Sequence, residues 1–283
     1  MSSTSPGTLP YSYSEWWHRP QAHDRPPLYW HVASRTFALL MWATPRPYRF
    51  GAARMMARAL TPLVSRTAWY RHQRQLRMDG VSEIALHYAL TIMSHSGALF
   101  DLNLKVEGAE KLDAALKKGQ GVLVVGSHAL LSLSLFRYLY DIGCVPAIIS
   151  TAPFIHIYGK RMVACAIQPS PAFMIGLRSI LRGGGVVCAM IDQHRPIGQR
   201  TIEFSTPEGP VYISDALIRL ARRCSASIIF TAVRVDSRRG VILSFGAPEP
   251  ASARSVEAIA EDFAAFLREH IAAVASQRSA AQL

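Results

Sequence analysis

The sequence predicts an α/β protein with a mixed central sheet covered by helices, preceded by a helical, basic N-terminal segment. After residue 120, short and continuous apolar runs alternate with helical patterns. Such runs are typical of strands that are buried on both faces of a sheet. Half of the 283 residues are hydrophobic and only 18% are charged, so the chain is able to bury a large core.

The N-terminal segment carries most of the net positive charge. Residues 1–80 hold eleven arginines, no lysine and three carboxylates, which supply +8 of the formal +12. Residues 1–28 contain five prolines and predict an irregular arm. A basic surface of this kind attracts anionic lipids, acidic carrier proteins or nucleic acid. Because the chain lacks zinc-finger spacing and RNA-binding signatures, we expect no nucleic-acid partner.

Helices with basic faces are expected in the rest of this segment. From about residue 29 to 100 the pattern is helical, with breaks at Pro45–Pro47 and near Asp79-Gly80 and a last helix over 83–98. The most apolar early run, Phe37–Ala43, is shorter than the roughly 20 residues that a spanning helix needs, and no signal peptide is recognisable. Aromatic residues beside arginines are typical instead of a segment that lies in the bilayer interface. These aromatic residues are Trp16, Trp17, Tyr29, Trp30, Trp42 and Tyr48. A helix packed on a soluble domain is the alternative interpretation.

The core begins with residues 101–106, which alternate like a strand, and a helix over 108–118 follows. Further strands are expected at 122–125, 145–149, 186–191, 228–233 and 241–245, and further helices at 130–141, 172–182, 212–224 and 255–275. We therefore divide the chain into an N-terminal arm with a helical membrane-associating segment (1–100) and an α/β core (101–283), interpreted as one continuous domain.

The helix expected over 212–224 has a distinct apolar face. Ile213, Leu217 and Leu220 are spaced so that they lie on one side of such a helix. Asp215, Arg219 and Arg222 lie on the opposite, polar side.

Two side chains follow predicted strands at the positions where α/β sheets assemble their sites. His128 comes just after the strand over 122–125, and its neutral imidazole is available as a general base near pH 7. Asp192 comes just after the strand over 186–191, where a carboxylate is costly unless it is paired. A structural histidine and a helix-capping aspartate are the alternatives.

The sequence predicts neither a metal nor a cofactor. The four cysteines form no C-x-x-C pair, which makes a metal site unexpected. Gly183-Gly184-Gly185 matches no dinucleotide or phosphate-loop pattern and is interpreted as a turn into the next strand. A G-x-S-x-G elbow is also missing, so a serine hydrolase is not indicated.

Several segments together resemble one family, the lipid A late acyltransferases, which transfer lauroyl or myristoyl groups. The similarity lies in the order of the segments rather than in any single one. In chain order they are Gly108-Ala-Glu-Lys-Leu-Asp-Ala-Ala-Leu, Lys118-Gly-Gln-Gly-Val-Leu-Val-Val-Gly-Ser-His128, Leu177-Arg-Ser-Ile-Leu-Arg-Gly-Gly-Gly-Val-Val, Ile191-Asp192-Gln193, Pro207-Glu-Gly-Pro-Val-Tyr, Leu220-Ala-Arg-Arg-Cys-Ser-Ala-Ser and Val233-Arg234.

The resemblance implies a glycerolipid-acyltransferase-like fold and acyl transfer from an acyl carrier protein or CoA thioester. The family works at the cytoplasmic face of the inner membrane, which implies a peripheral or monotopic protein with an anionic membrane surface as a partner. Neither metal nor cofactor is implied. His128 takes the position of the family's general base. The candidate substrate-binding residues are Lys160, Arg161, Ser132 and Gln193. Among them, Arg161 has a forked guanidinium group that suits anionic groups of the substrate.

The family motif places Glu or Asp after four residues that follow the histidine, and this chain has Leu133 there. Three interpretations stay open. Asp192 orients His128 in place of the missing acid; or His128 works alone on a more acidic or more nucleophilic acceptor, such as an amine; or the protein binds an acyl carrier or lipid without turnover. The C-terminus also lacks the family's tryptophan-rich and arginine-rich tail, so the expected acceptor is a hydroxyl or amine of another lipid or specialised metabolite.

Overall fold

A computed structural model of the protein describes the core and parts of the N-terminal segment. The described residues are 35–36, 39–40, 42–64, 86–87, 89–90, 104–127, 130–149, 155–157, 160–162, 165–167, 173–193, 201–206, 209–236 and 240–280.

The described residues form strands and helices that alternate through the core. The strands are β1 (Leu104–Glu107), β2 (Val122–Gly126), β3 (Ala147–Ile149), β4 (Ile155–Ile157), β5 (Lys160–Met162), β6 (Cys165–Ile167), β7 (Val186–Met190), β8 (Asp192–Gln193), β9 (Thr201–Thr206), β10 (Gly209–Ser214), β11 (Ser227–Asp236), β12 (Gly240–Phe245) and β13 (Glu249–Pro250). The α-helices are α1 (Arg46–Val64), α2 (Ala109–Lys117), α3 (Leu133–Asp141), α4 (Phe173–Arg182), α5 (Ala216–Arg223) and α6 (Val256–Ala280).

Eight strands form one mixed sheet in the order β1-β12-β11-β2-β7-β3-β6, with β13 paired to the start of β11. The five strands from β11 to β6 are parallel to their neighbours. β12 runs antiparallel to β11, and β1 runs parallel to β12. The α/β class and the mixed sheet predicted from the sequence are therefore confirmed.

Helices cover the central sheet on both faces. On β2, Leu123 and Val125 point toward face A, where α4, α5 and α6 contribute to the buried cluster. Val122 and Val124 point toward face B, where α2 and α3 pack. All four side chains are fully buried, which explains why the sequence of β2 is continuously apolar.

Helix α1 packs on face B through a narrow apolar stripe. Phe50, Ala53 and Ala57 are buried at helical spacing. They belong to a cluster that includes Leu131 and Val241 of the core. The N-terminal segment therefore contacts the core beside the residues that follow His128 in sequence.

The opposite side of α1 is exposed and carries both apolar and basic residues. Its exposed positions include Tyr48 (69% exposed) and Met55 (70% exposed), with Arg58 near them. The helix begins at Arg46, directly after Pro45, which confirms the predicted break. Residues 86–87 and 89–90 are helical, within the helix predicted over 83–98, whereas the break near Asp79-Gly80 lies outside the described residues. In the part of the chain that the structure describes, no helix is long and apolar enough to cross a membrane.

Helix α5 is shorter than predicted, and the assignment of its first residues was wrong. Residues 212–214 belong to β10, which pairs with β9 and with β8, so the helix begins only at Ala216. Asp215 is 4% exposed rather than solvent-facing, and its carboxylate accepts a hydrogen bond of 2.6 Å from Arg219. Residues 130–132 of the helix predicted over 130–141 form a 3₁₀ turn instead.

The predicted glycine turn joins α4 to β7. Gly184 has a φ of 78°, a conformation that glycine adopts without strain. The carbonyl of Gly185 accepts a hydrogen bond from the backbone of Val122. At the start of β2, a Cβ on Gly121 would meet the Leu181 carbonyl, so only glycine allows α4 to end this close to the strand.

Candidate active site

The carboxyl ends of β2 and β7 lie side by side in the middle of the central sheet. The two strands are parallel, with Gly126 and Met190 as register partners. The backbone N–H of Ile191 donates to the Gly126 carbonyl at 3.2 Å, so the pairing continues to the strand ends. Ser127 is half-buried directly beyond this point. His128, the candidate base, lies outside the described residues.

The residues around Gly126, at the carboxyl end of β2, are tightly packed. A Cβ at that position would lie 2.9 Å from the sulfur of Met190 and 2.9 Å from the hydroxyl of Thr231. The Thr231 hydroxyl is buried and donates to the Val125 carbonyl at 3.1 Å, which fixes its position. Because Gly126 has no side chain, Met190 of β7 and Thr231 of β11 can lie this close to the end of β2.

Asp192 lies at the end of β7 and is buried, with 4% of its surface exposed. It begins β8 and pairs with Ile213 of β10, and the next residue, Gln193, also belongs to this strand, so the helix-capping interpretation was wrong. Its neighbours Ile191 and Ile213 are almost completely buried. A carboxylate in such surroundings is stable only with hydrogen-bond or charge partners.

Gln193, the next residue, pairs through its backbone with Tyr212 of β10. The three strands β8, β10 and β9 form a small sheet of their own. Hydrophobic side chains of β9, Ile202 and Phe204, pack on the face A cluster beside α6. The small sheet thus anchors Asp192 and Gln193 at the edge where β2 and β7 end.

Leu133, at the position of the missing acid, is a packing residue. It is half-buried and contacts both the face B cluster and the cluster beneath α1. Ser132 precedes it at the N-cap of α3, half-buried and without a side-chain capping hydrogen bond. The first turn of α3 therefore presents apolar contacts where the resemblance expects a carboxylate.

Helix α3 also buries polar side chains that sequence reasoning missed. Arg137 is only 7% exposed, and its Nε donates to the Asp141 carboxylate at 2.7 Å. Ser134 is fully buried, and its hydroxyl has no hydrogen-bond partner among the described residues. The spacing of Arg137 and Asp141, four residues apart on a helix, was the available sequence signal.

Lys160 and Arg161 lie on β5 of a separate two-stranded hairpin. In this hairpin Ile157 pairs with Lys160, and His156 pairs with Arg161. Strand β4 packs against α3, the helix that follows the candidate base in sequence. The structure thus places the backbone of both cationic residues in an element that adjoins α3.

Cys188, a buried thiol near this edge, is not a thiolate nucleophile. Burial raises the pKa of the Cys188 thiol on β7 well above its ordinary value, so the thiol stays protonated at neutral pH. Within the described ranges, no three His, Cys, Asp or Glu side chains are grouped so that they could hold a metal ion.

Comparison with models of known protein families gave no match. Comparison with curated proteins gave no match either.

Proposed function

We propose that the protein is an acyltransferase that moves a fatty acyl group from an acyl carrier protein or CoA thioester to a hydroxyl or amine. The acceptor is a lipid or a specialised metabolite. His128 removes the acceptor proton, the acceptor attacks the thioester carbonyl, and the thiol leaves with that proton. This chemistry requires a base, an anchored donor and limited access of water.

The register of β2 and β7 carries this proposal. Gly126 and Met190 are paired, so His128 and Asp192 each follow the paired positions by two residues. His128 and Asp192 therefore occupy corresponding sequence positions after two adjacent strands. Neighbouring strands in a sheet are about 4.8 Å apart. Asp192 is buried at this edge, between the buried Ile191 in sequence and its β10 partner Ile213. These observations favour Asp192 as the positioning residue that orients the His128 imidazole, because Leu133 has no carboxylate.

Asp192→Asn tests this role through the pH profile. A carboxylate beside an imidazole favours its charged form, so the variant should shift the pH–rate profile to lower pH and reduce the rate by about 10²–10⁴. Asp215→Asn is the matched control, because Asp215 is equally buried but paired with Arg219 at the start of α5. It should lower stability and leave the pH profile in place. An unchanged profile in Asp192→Asn would eliminate the orienting role.

The exposed apolar side of α1 supports a membrane-bound acceptor. Tyr48 and Met55 are largely exposed, with Arg58 beside them. Amphipathic helices with apolar residues and arginines bind anionic interfaces. This side of α1 supports a peripheral or monotopic location, and the family resemblance suggests the cytoplasmic face of the inner membrane.

A panel of thioesters and acceptors tests the reaction itself. The protein is incubated with acyl-carrier and acyl-CoA donors, and thioester loss is followed by mass spectrometry with and without lipid, alcohol or amine acceptors. Acceptor-dependent loss with formation of the acylated product supports the proposal. No loss with any donor would contradict it.

Leu133 favours a second candidate, a homologue that binds an acyl carrier or lipid without turnover. Its apolar packing means that α3 lacks the acid that supports the family's base. Measurable carrier binding without thioester loss would identify this alternative.

A further inference from the structure

We propose that the exposed faces of α4 and α5 form a docking surface for the acidic carrier protein that delivers the acyl group. This inference rests on the proposed function and locates the donor's partner surface away from the arginine-rich N-terminal segment.

Four arginines lie on the C-terminal halves of α4 and α5. They are Arg178, Arg182, Arg222 and Arg223. Helices α4 and α5 pack against each other, and the Cys224 thiol, just after α5, lies 3.9 Å from the Arg178 carbonyl. The two C-terminal halves are therefore neighbours on face A of the sheet, and their cations share one surface.

These arginines lack the partners that a structural role would supply. Among the described residues, the side chains of Arg178, Arg182 and Arg223 form no ion pair or hydrogen bond, and the buried Nε of Arg222 has no acceptor. By contrast, Arg219 on the same helix is paired with Asp215 and lies 3.8 Å from Glu257. Arginines near helix C-termini interact favourably with the helix dipole, but Arg178 lies in the middle of α4. The cluster therefore carries a concentrated positive charge that the carboxylates of the described ranges do not pair with.

An apolar side chain completes the surface. Ile175 is 71% exposed and shares a helical stripe with Arg178 and Arg182. Helix α4 ends where the turn into β7 begins, so Ile175 lies toward the carboxyl ends of the strands. The helix has ten residues, which corresponds to about 15 Å. A carrier bound along α4 would thus have its prosthetic arm directed toward the edge that holds Asp192.

The position of this surface favours a soluble acidic protein over a membrane. Helix α1, with the exposed Tyr48 and Met55, packs on face B through Val241. The arginine cluster lies on face A, on the other side of the sheet. If α1 contacts the bilayer, α4 and α5 face the solution from which a carrier arrives. Charge complementarity of this kind mainly accelerates encounter and selects the partner.

Charge reversal tests the surface. The cluster variants are Arg182→Glu and Arg223→Glu, and the control is Arg268→Glu. Arg268 is an exposed arginine of α6 outside the cluster and is unpaired among the described residues, so its reversal changes the net charge by the same amount. Binding of the carrier protein is measured by fluorescence anisotropy at low and moderate salt, and thioester loss is measured with acyl-carrier and acyl-CoA donors. Each cluster variant should weaken carrier binding about tenfold, reduce its salt dependence and leave the use of acyl-CoA unchanged.

Three outcomes would overturn the docking surface. The first is unchanged carrier binding in both cluster variants. The second is a loss of carrier binding in Arg268→Glu that equals the loss in the cluster variants. The third is that the cluster variants lose binding to anionic vesicles but still bind the carrier. Carrier binding that depends on the cluster, without any thioester loss from wild-type protein, would uphold the surface and contradict the proposed acyl transfer. Because the cluster side chains are exposed or half-buried, thermal unfolding should be unchanged, and Arg182→Gln repeats the test without introducing a new charge.

Discussion

At the residue scale, two residues near the candidate site affect the stability of the fold in opposite directions. Asp192 is a buried carboxylate at the end of β7, whereas Leu133 is an apolar residue where an acid is expected. Burying Asp192 costs free energy that only specific partners offset. Leu133 instead stabilises the junction between α1, α3 and the sheet. The two residues together are consistent with a site whose carboxylate comes from β8 rather than from α3.

Restoring the family's acid at position 133 should destabilise the fold. Leu133→Glu would place a carboxylate against two apolar clusters, with an expected loss of about 2–4 kcal/mol in the free energy of unfolding. The opposite outcome is a faster reaction, if the new carboxylate forms a dyad with His128. Chemical denaturation and activity are measured together, with Leu133→Met as the control for packing. A variant as stable as wild type and more active would show that the carboxylate reaches the base.

Ser225 adopts a strained backbone conformation that glycine would relieve. Its φ of 51° is the only positive value for a non-glycine residue in the described ranges. It follows α5, and the backbone N–H of Ala226 donates to the Ala221 carbonyl, as in a glycine-terminated helix. Ser225→Gly should therefore stabilise the protein by about 0.5–1 kcal/mol. Unfolding measured by calorimetry checks this, and Ser179→Gly, within α4, should instead destabilise the fold. A lower melting temperature for Ser225→Gly would contradict the assignment.

At the element scale, the long apolar strands were predictable and the short strands were not. The boundaries of β2, β7 and β12 agree with the apolar runs within one residue, because burial on both faces leaves a continuous signal. The strands β4 and β5 have three residues each, too few for a periodic pattern. Residues 211–214 of β10 fit both a strand and the start of a helix. Pairing with β9 in a hairpin and with the more distant β8 decided between the two.

The candidate site was predictable to a similar extent. The sequence indicated that His128 and Asp192 each follow an apolar strand; the structure places Asp192 directly after β7, whereas His128 lies outside the described residues. The burial of Arg137 and Ser134 and the arginine cluster on α4 and α5 were not evident. They depend on which side of a helix other elements cover, and sequence periodicity does not fix that.

A charged network ties β1 to β11 across β12. Glu107 accepts hydrogen bonds from Lys105, Arg234 and Ser244 at 2.9, 2.8 and 3.1 Å. The hydrogen bond from Lys105, followed by the contribution of Arg234, lowers the pKa of Glu107 from 4.5 to about 2, although partial burial opposes the shift. The folded-state pKa is depressed, so the network stabilises the protein above pH 4.5 and loses this contribution as the pH falls toward 2.

Glu107→Gln should therefore flatten the acid dependence of stability in that range. The Glu107 side chain is 34% exposed, so water screens the interaction, and we expect a difference of only about 1 kcal/mol between the variant and wild type at neutral pH. Urea unfolding between pH 2 and 7 measures it, with Glu110→Gln, on the first turn of α2, as the control. Parallel pH curves for Glu107→Gln and wild type would contradict the network's role.

At the scale of the whole molecule, the central sheet separates two different surfaces. Face B holds α1 with its exposed apolar side, and face A holds the arginine cluster of α4 and α5. Between them, β2 and β7 end at the edge where we place the chemistry. This arrangement allows a membrane acceptor and a soluble donor to approach the same edge without competing for one surface.

Membrane binding through α1 is tested with vesicles. Each arginine near an anionic surface contributes about 1 kcal/mol, which salt weakens. Met55→Glu, on the exposed side of α1, should strongly reduce co-sedimentation with anionic vesicles. Ile175→Glu, equally exposed on α4, should leave it unchanged. Equal partitioning of wild-type protein to neutral and anionic vesicles, or none to either, would contradict the interpretation.

The most direct test of the account is single-turnover thioester loss in wild-type protein and in His128→Ala. Both proteins receive the same acyl-carrier donor and acceptor, and circular dichroism and thermal unfolding verify that the variant is folded. Removing a general base is expected to reduce the rate by about 10²–10⁴, without a loss of carrier binding. Full activity in folded His128→Ala would contradict the central claim that His128 is the base for acyl transfer.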